Sequence, residues 1–228
     1  MRDVAMVVGA LALINVLAHF TIDNAAYLVV PLGSIIVIMC MRWRGFSWRQ
    51  MGLAPDQFKR GAKYALPILL VVTVIAIGGA IIPFTRTLFL SDRYDTVGFA
   101  VYSALLVIPL QTVIPEELLF RGALDASLRP AVSSRAVYVV GASLFGLWHV
   151  GSSTGLTAGN DGLTDLLGSG VIAQVAGIAG AVVVTTCAGL LFIWLRHRSD
   201  SLLVPVALHW AVNGIGALGA ALAWQLSG

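Results

Sequence analysis

Charge is what this chain has least of. Only 11% of its 228 residues are Asp, Glu, Lys or Arg, while 58% are hydrophobic. A water-soluble fold of this size needs far more polar surface. That excludes an ordinary soluble domain, and the mean hydropathy of +0.91 points to an integral membrane protein. Cysteine is scarce as well. Cys40 and Cys187 each lie in an apolar run, without a CxxC pair or a disulfide framework, so they do not identify a redox compartment. Internal repeats, low-complexity tracts and segments composed like a separate soluble domain are lacking. The sequence reads as one integral membrane domain over 1–228.

Long apolar runs are abundant. A bilayer core of about 30 Å takes about 20 apolar residues in a helix. Runs at 4–20, 25–41, 64–83, 97–127, 135–151, 170–195 and 201–226 are the candidates. The predicted fold is all-α: a polytopic transmembrane helical bundle of about seven spans, with eight allowed. Met1–Phe20 opens like a signal peptide, but further spans follow and it reads as a retained first helix. The run 97–127 is too long for one straight span. Pro109 and Pro115 predict a kink or break within it, and Pro205 predicts a kink in the last span.

The basic residues fall unevenly. Twelve lie at the N-terminus or in alternate connections, from Arg2 through Arg42–Lys63 and Arg121–Arg135 to Arg196 and Arg198; only Arg86 and Arg93 lie on the other side. This split predicts a cytoplasmic N-terminus and an external C-terminus, in a multi-pass protein of the plasma membrane. The segment Arg42–Tyr64 interleaves basic residues with Trp43, Phe46, Trp48 and Phe58. It reads as a loop lying along lipid headgroups, and nucleic acid is not an expected partner. The loop 151–170 is rich in Gly, Ser, Thr and Asp and reads as flexible and external. Its "GSSTG" matches G-x-S-x-G at Ser153, but that motif works on a strand-turn-helix elbow, and no strand signal is present.

Ionisable side chains inside spans are rare and mark function. Here they are Glu116, Glu117 and Arg121 on the fourth run, His149 on the fifth, and His209 on the seventh, with Asn213 beside it. At ~1.5 Å per helical residue, Glu116, His149 and His209 lie ~18, ~21 and ~12 Å from the arginine-rich side. Similar depth predicts one shared cavity open to the cytoplasm. Glu117 and Arg121 are i, i+4 and predict an ion pair, leaving Glu116 turned by ~100° to face the cavity. Taken singly, each residue has an ordinary structural role open to it, as a core histidine, a helix-joining amide or an interfacial ion pair. His19 and His197, near span ends, read as ordinary residues. Together the set is poorly explained by packing.

A carboxylate, two imidazoles and a carboxamide suit hydrolysis. The carboxylate serves as general base for water, and imidazole and amide N–H groups stabilise an oxyanion. HExxH is absent. Glu116, His149 and His209 are also a possible zinc set with an open position, and spacing alone does not separate a zinc-bound water from a glutamate-activated one.

"EELLFRG", "FGLWH" and "HWAVN" match EExxxR, FxxxH and HxxxN in order and spacing. Over roughly 100–215 the chain thereby resembles the CPBP family of intramembrane proteases (CAAX proteases and bacteriocin-processing enzymes, also called Abi), long classed as metalloproteases. The resemblance implies an endopeptidase in which Glu116 activates water, His149 helps place it, and His209 with Asn213 forms the oxyanion hole. Glu117 and Arg121 match the second glutamate and the arginine and support the site. It also implies a glutamate-based reaction that requires no cofactor, cutting near the cytoplasmic face. The substrate would be a peptide or protein in the lipid bilayer, either membrane-embedded or lipidated as a prenylated CAAX tail is. Two other functions fit buried Glu and His: a catalytically silent, immunity-type membrane protein, or a proton-coupled transporter. Asn213 argues for the enzyme, since an oxyanion donor has no evident use in a proton relay.

Overall fold

The computed structural model describes residues 1–154, 168 and 170–227. Among these, seven long helices carry the fold: α1 Arg2–Phe20, α2 Ala26–Trp43, α3 Pro55–Ile81, α4 Val97–Leu128, α5 Ser134–Ser152, α6 Val171–Ser199 and α7 Leu203–Gln225. All but α5 are long and apolar enough by length and composition to cross a membrane. The described residues contain no strand. Side chains such as Ile35, Ile36 and Met39 on α2 and Leu66, Leu70 and Ile75 on α3 point outward, an arrangement suited to lipid.

The helices correspond to the seven apolar runs, with two differences. α3 starts at Pro55, nine residues before the apolar run, because its first turns are polar. Proline at the first helical position and Gln57 Oε1, which accepts from the Ala54 N–H at 2.9 Å, fix that start. The second difference lies in α4. Pro109 and Pro115 do not break it. The helix widens instead, with π-helical stretches at Ser103–Val113 and Leu118–Leu124 on either side of Ile114–Glu117. The i→i+5 pattern loosens the turn that a proline ring would otherwise crowd. Pro205 does not kink α7 either. It sits in the first turn, where an N–H has no helical partner to lose. The irregularity of α7 comes later, at the π-helical stretch Ala211–Ile215.

α4 runs through the middle. α1 and α2 pack on one side of it and α7 on another, with α3 against α7. α5 and α6 form the most extensive pair. Their approach depends on small residues: a Cβ on Gly146 would lie 2.0 Å from Thr186 Oγ1 and 2.8 Å from the Val182 carbonyl oxygen. The largest apolar core joins Val7, Leu11, Met41, Leu119, Phe120 and Phe145.

The segment between α2 and α3 behaves largely as its composition suggests. Trp43, Trp48 and Phe58 stay exposed at the arginine-rich end, whereas Phe46 turns in against the core. Most of the external loop 151–170 lies outside the described residues. Ser153 closes α5 in a turn, with no strand before it. Arg121 and Arg196, counted above with the basic side, are buried inside the bundle.

Candidate active site

Glu116 and Glu117 are adjacent in sequence and differ in every contact. Glu117 is fully buried, and its Oε1 accepts from Arg121 Nη1 at 3.0 Å and from His209 Nδ1 at 2.9 Å. The predicted i, i+4 pair is therefore present, and a histidine shares it. Arg121 is enclosed by aromatic faces, its guanidinium 4.0 Å from the Phe145 ring centre and 4.8 Å from that of Phe192. Cation–π contact and the ion pair offset the desolvation of a charge held in apolar surroundings.

Among the described residues Glu116 has no cationic partner. Its Oε1 accepts from Trp148 Nε1 at 3.1 Å, while Oε2 is buried with no protein partner among the described residues. The carboxylate is thus held at one oxygen and unpaired at the other. His149 Nδ1 lies 2.8 Å from the Phe145 carbonyl oxygen. A carbonyl only accepts, so Nδ1 carries the proton and a neutral ring keeps its lone pair on Nε2. The same logic at His209, whose Nδ1 faces a carboxylate, leaves Nε2 toward the cavity. It donates there when the ring is an imidazolium.

Glu116, His149, His209 and Asn213 all line one cavity of about 560 Å³. They come from α4, α5 and α7, separated by as many as 97 residues of chain between Glu116 and Asn213. The shared cavity is as predicted; its direction is not. Its other wall residues include His19 at the end of α1, Ala26 and Val30 at the start of α2, and Ser152 at the end of α5. All of these lie at the arginine-poor end. The arginine-rich end is closed below the site. Arg196 is fully buried there, its Nη2 donating to the Gln50 carbonyl at 3.0 Å and its Nε to the Arg121 carbonyl at 3.3 Å. The expectation of a cavity open to the arginine-rich side is thus corrected. Counting ~21 Å from one end of the 19-residue α5 puts His149 nearer the other end, since that helix is ~28 Å long.

Two residues, Trp148 and His19, and one contact of the expected supporting residue Glu117 escaped the sequence reading. Trp148 holds Glu116, Glu117 orients His209, and His19 lines the cavity. Trp148 and Glu116 lie 32 residues apart on different helices, so no spacing rule joins them. Ser153 does not line the cavity. As for zinc, among the described residues no group of three His, Cys, Asp or Glu side chains stands so as to hold a metal ion. Glu116, His149 and His209 therefore do not form a fitted zinc set, and no step is derived through one.

The fold and the site together define a polytopic helical membrane protein with a carboxylate, two imidazoles and an amide lining one cavity of its interior. Over residues 98–215 the chain matches the family model described as Rce1-like, type II CAAX prenyl endopeptidase. The match spans more than half of the chain, which belongs to that family. It is a member of a CAAX-type intramembrane protease family, with a peptide substrate in the lipid bilayer as the family's setting. Neither a curated protein nor a solved structure matches significantly.

Proposed function

We propose that this protein is an intramembrane endopeptidase in which Glu116 activates the attacking water without a metal ion. The observation that carries this reading is the meeting of Glu116, His149, His209 and Asn213 in one cavity, with one oxygen of Glu116 left unpaired. Water bound at Oε2 gives its proton to Glu116 as its oxygen attacks the peptide carbonyl carbon. His149 Nε2 accepts the second hydrogen of that water and fixes its direction. The carbonyl oxygen becomes an oxyanion and accepts from the His209 imidazolium and the Asn213 amide. Collapse of the intermediate breaks the C–N bond, and Glu116 returns its proton to the leaving nitrogen. Atoms and charge balance, and the carboxylate is restored.

Access from the lipid fits the helix arrangement. α6 packs against Leu203–Trp210 of α7 and parts from the later turns. Val184 and Leu191 on α6 and Val212 on α7 line the cavity and are also exposed on the apolar surface. A membrane-borne peptide, lipidated or itself hydrophobic, enters between them.

The test is to incubate the purified chain with membranes and identify newly formed peptide termini. Glu116→Gln should abolish them while the protein stays folded, and full release by that variant would refute the assignment. Chelation and metal analysis of the active protein check the metal-free step: stoichiometric zinc, lost together with activity, would replace it.

A further inference from the structure

A second cavity of about 510 Å³ adjoins the first at the arginine-poor end. The two share Ala26, Gln111, Thr112, Val212 and Asn213 as wall residues. Gln111, Thr112 and Asn213 make much of this shared wall polar. Gln111 Oε1 is buried without a partner, and neither Thr112 nor Asn213 makes a side-chain hydrogen bond among the described residues. Amide and hydroxyl groups left open in this way match the N–H and C=O groups of an extended peptide.

The rest of the second cavity lies between α7 and the connection from α3 to α4. Among the described residues its wall carries a single charged residue, Arg93. Arg93 is exposed, its guanidinium lies over the Tyr94 ring at 5.9 Å from the ring centre, and it has no acidic partner among the described residues. Asp92 and Asp95 flank it in sequence, but neither lines the cavity. Arg93 also lies outside residues 98–215, so the family match does not account for it.

We propose that this second cavity is a subsite for a carboxylate on the peptide segment beyond the scissile bond, bound by Arg93 at the arginine-poor face. The inference rests on the endopeptidase reading of the first cavity. The segment crosses Gln111, Thr112 and Asn213 in extended form and presents its carboxylate to the guanidinium, which holds it by charge-assisted hydrogen bonds. The carboxylate is either a chain terminus or an acidic side chain. By the distribution of arginine, this face is the external one, so the substrate offers the segment after it has reached that side. A reaction that translocates or inserts the peptide must come first.

The experiment uses full-length Glu116→Gln protein in nanodiscs of neutral phosphatidylcholine, which separates binding from cleavage. Three N-acetylated (Ala-Leu)₃ probes are compared: a free C-terminal carboxylate, a carboxamide, and a carboxamide carrying one Asp near its end. At least one carboxylate probe should bind about tenfold more tightly than the plain carboxamide, equivalent to about 1.4 kcal/mol. Whichever does so identifies the source of the charge. Adding Arg93→Gln should remove the difference, and Arg93→Lys should restore part of it. Equal binding of all three probes, no binding of any, or a preference that survives Arg93→Gln overturns the subsite. Hydrolysis by Glu116→Gln alongside an intact charge preference would instead sink the assignment of Glu116 as the base and leave the subsite standing.

Discussion

The two glutamates divide the work because their surroundings differ, and each division has a consequence. Trp148 donates to one oxygen of Glu116 and does not need to touch substrate. Trp148→Phe keeps an aromatic ring against Phe120 but removes the N–H. We expect kcat to fall about tenfold with KM unchanged, the effect of losing one hydrogen bond of about 1.4 kcal/mol that orients the base. A matching rise in KM would mean that Trp148 acts on binding instead. Glu117→Gln is expected to be worse for the fold than for the chemistry. It strands Arg121, a buried cation, and breaking such a pair costs about 3–5 kcal/mol. The expected readout is a large fall in Tm, and an unchanged Tm would show that the aromatic enclosure of Arg121 suffices alone. That these side chains share one cavity was readable beforehand, since a buried Glu, two His and an Asn are conspicuous in an apolar chain. Trp148 was not, because a tryptophan in a membrane helix looks like packing or an interfacial anchor until its partner is seen.

At the scale of elements, the positions of these side chains depend on how closely helices approach. α5 can bring His149 to the cavity only because Gly146 lets it lie against Val182 and Thr186 of α6. Gly146→Ala forces a Cβ into space already filled, and overpacking of this kind typically costs about 1–3 kcal/mol. We expect a lowered Tm together with reduced activity, and partial recovery of both in Gly146→Ala/Thr186→Ala. Recovery should be incomplete because the Val182 carbonyl remains in the way. No recovery at all would locate the strain in the backbone contact alone. Helix existence and most boundaries followed from hydropathy. The start of α3 did not, although Pro55 with Gln57 two residues later was a start signal hidden in a basic loop. The π-helical stretches in α4 and α7 had no signature beyond proline. They flank Glu116 and contain Asn213, and so set the rotation at which those side chains leave their helices.

For the whole molecule, two independent gradients point in opposite directions. Arginine and lysine gather at one end, where Arg196 ties the connection after α2 to α4 and closes the bundle. The polar cavities lie from mid-bundle to the other end. Hydropathy and charge counting found the first gradient. They missed the second because depth along a helix says nothing of which end is sealed by side chains from elsewhere in the chain. If the arginine-rich end is cytoplasmic, the cavity opens outward. In a Cys40→Ser/Cys187→Ser background, Ser152→Cys should therefore react with a membrane-impermeant thiol reagent added to intact cells. Lys59→Cys, on the exposed first turns of α3, should react only after the cells are opened. The reverse pattern would turn the whole bundle over and make the cavity a cytoplasmic one. The reaction derived for Glu116 would survive that reversal, but the source of its substrate would change from a translocated segment to one still inside the cell.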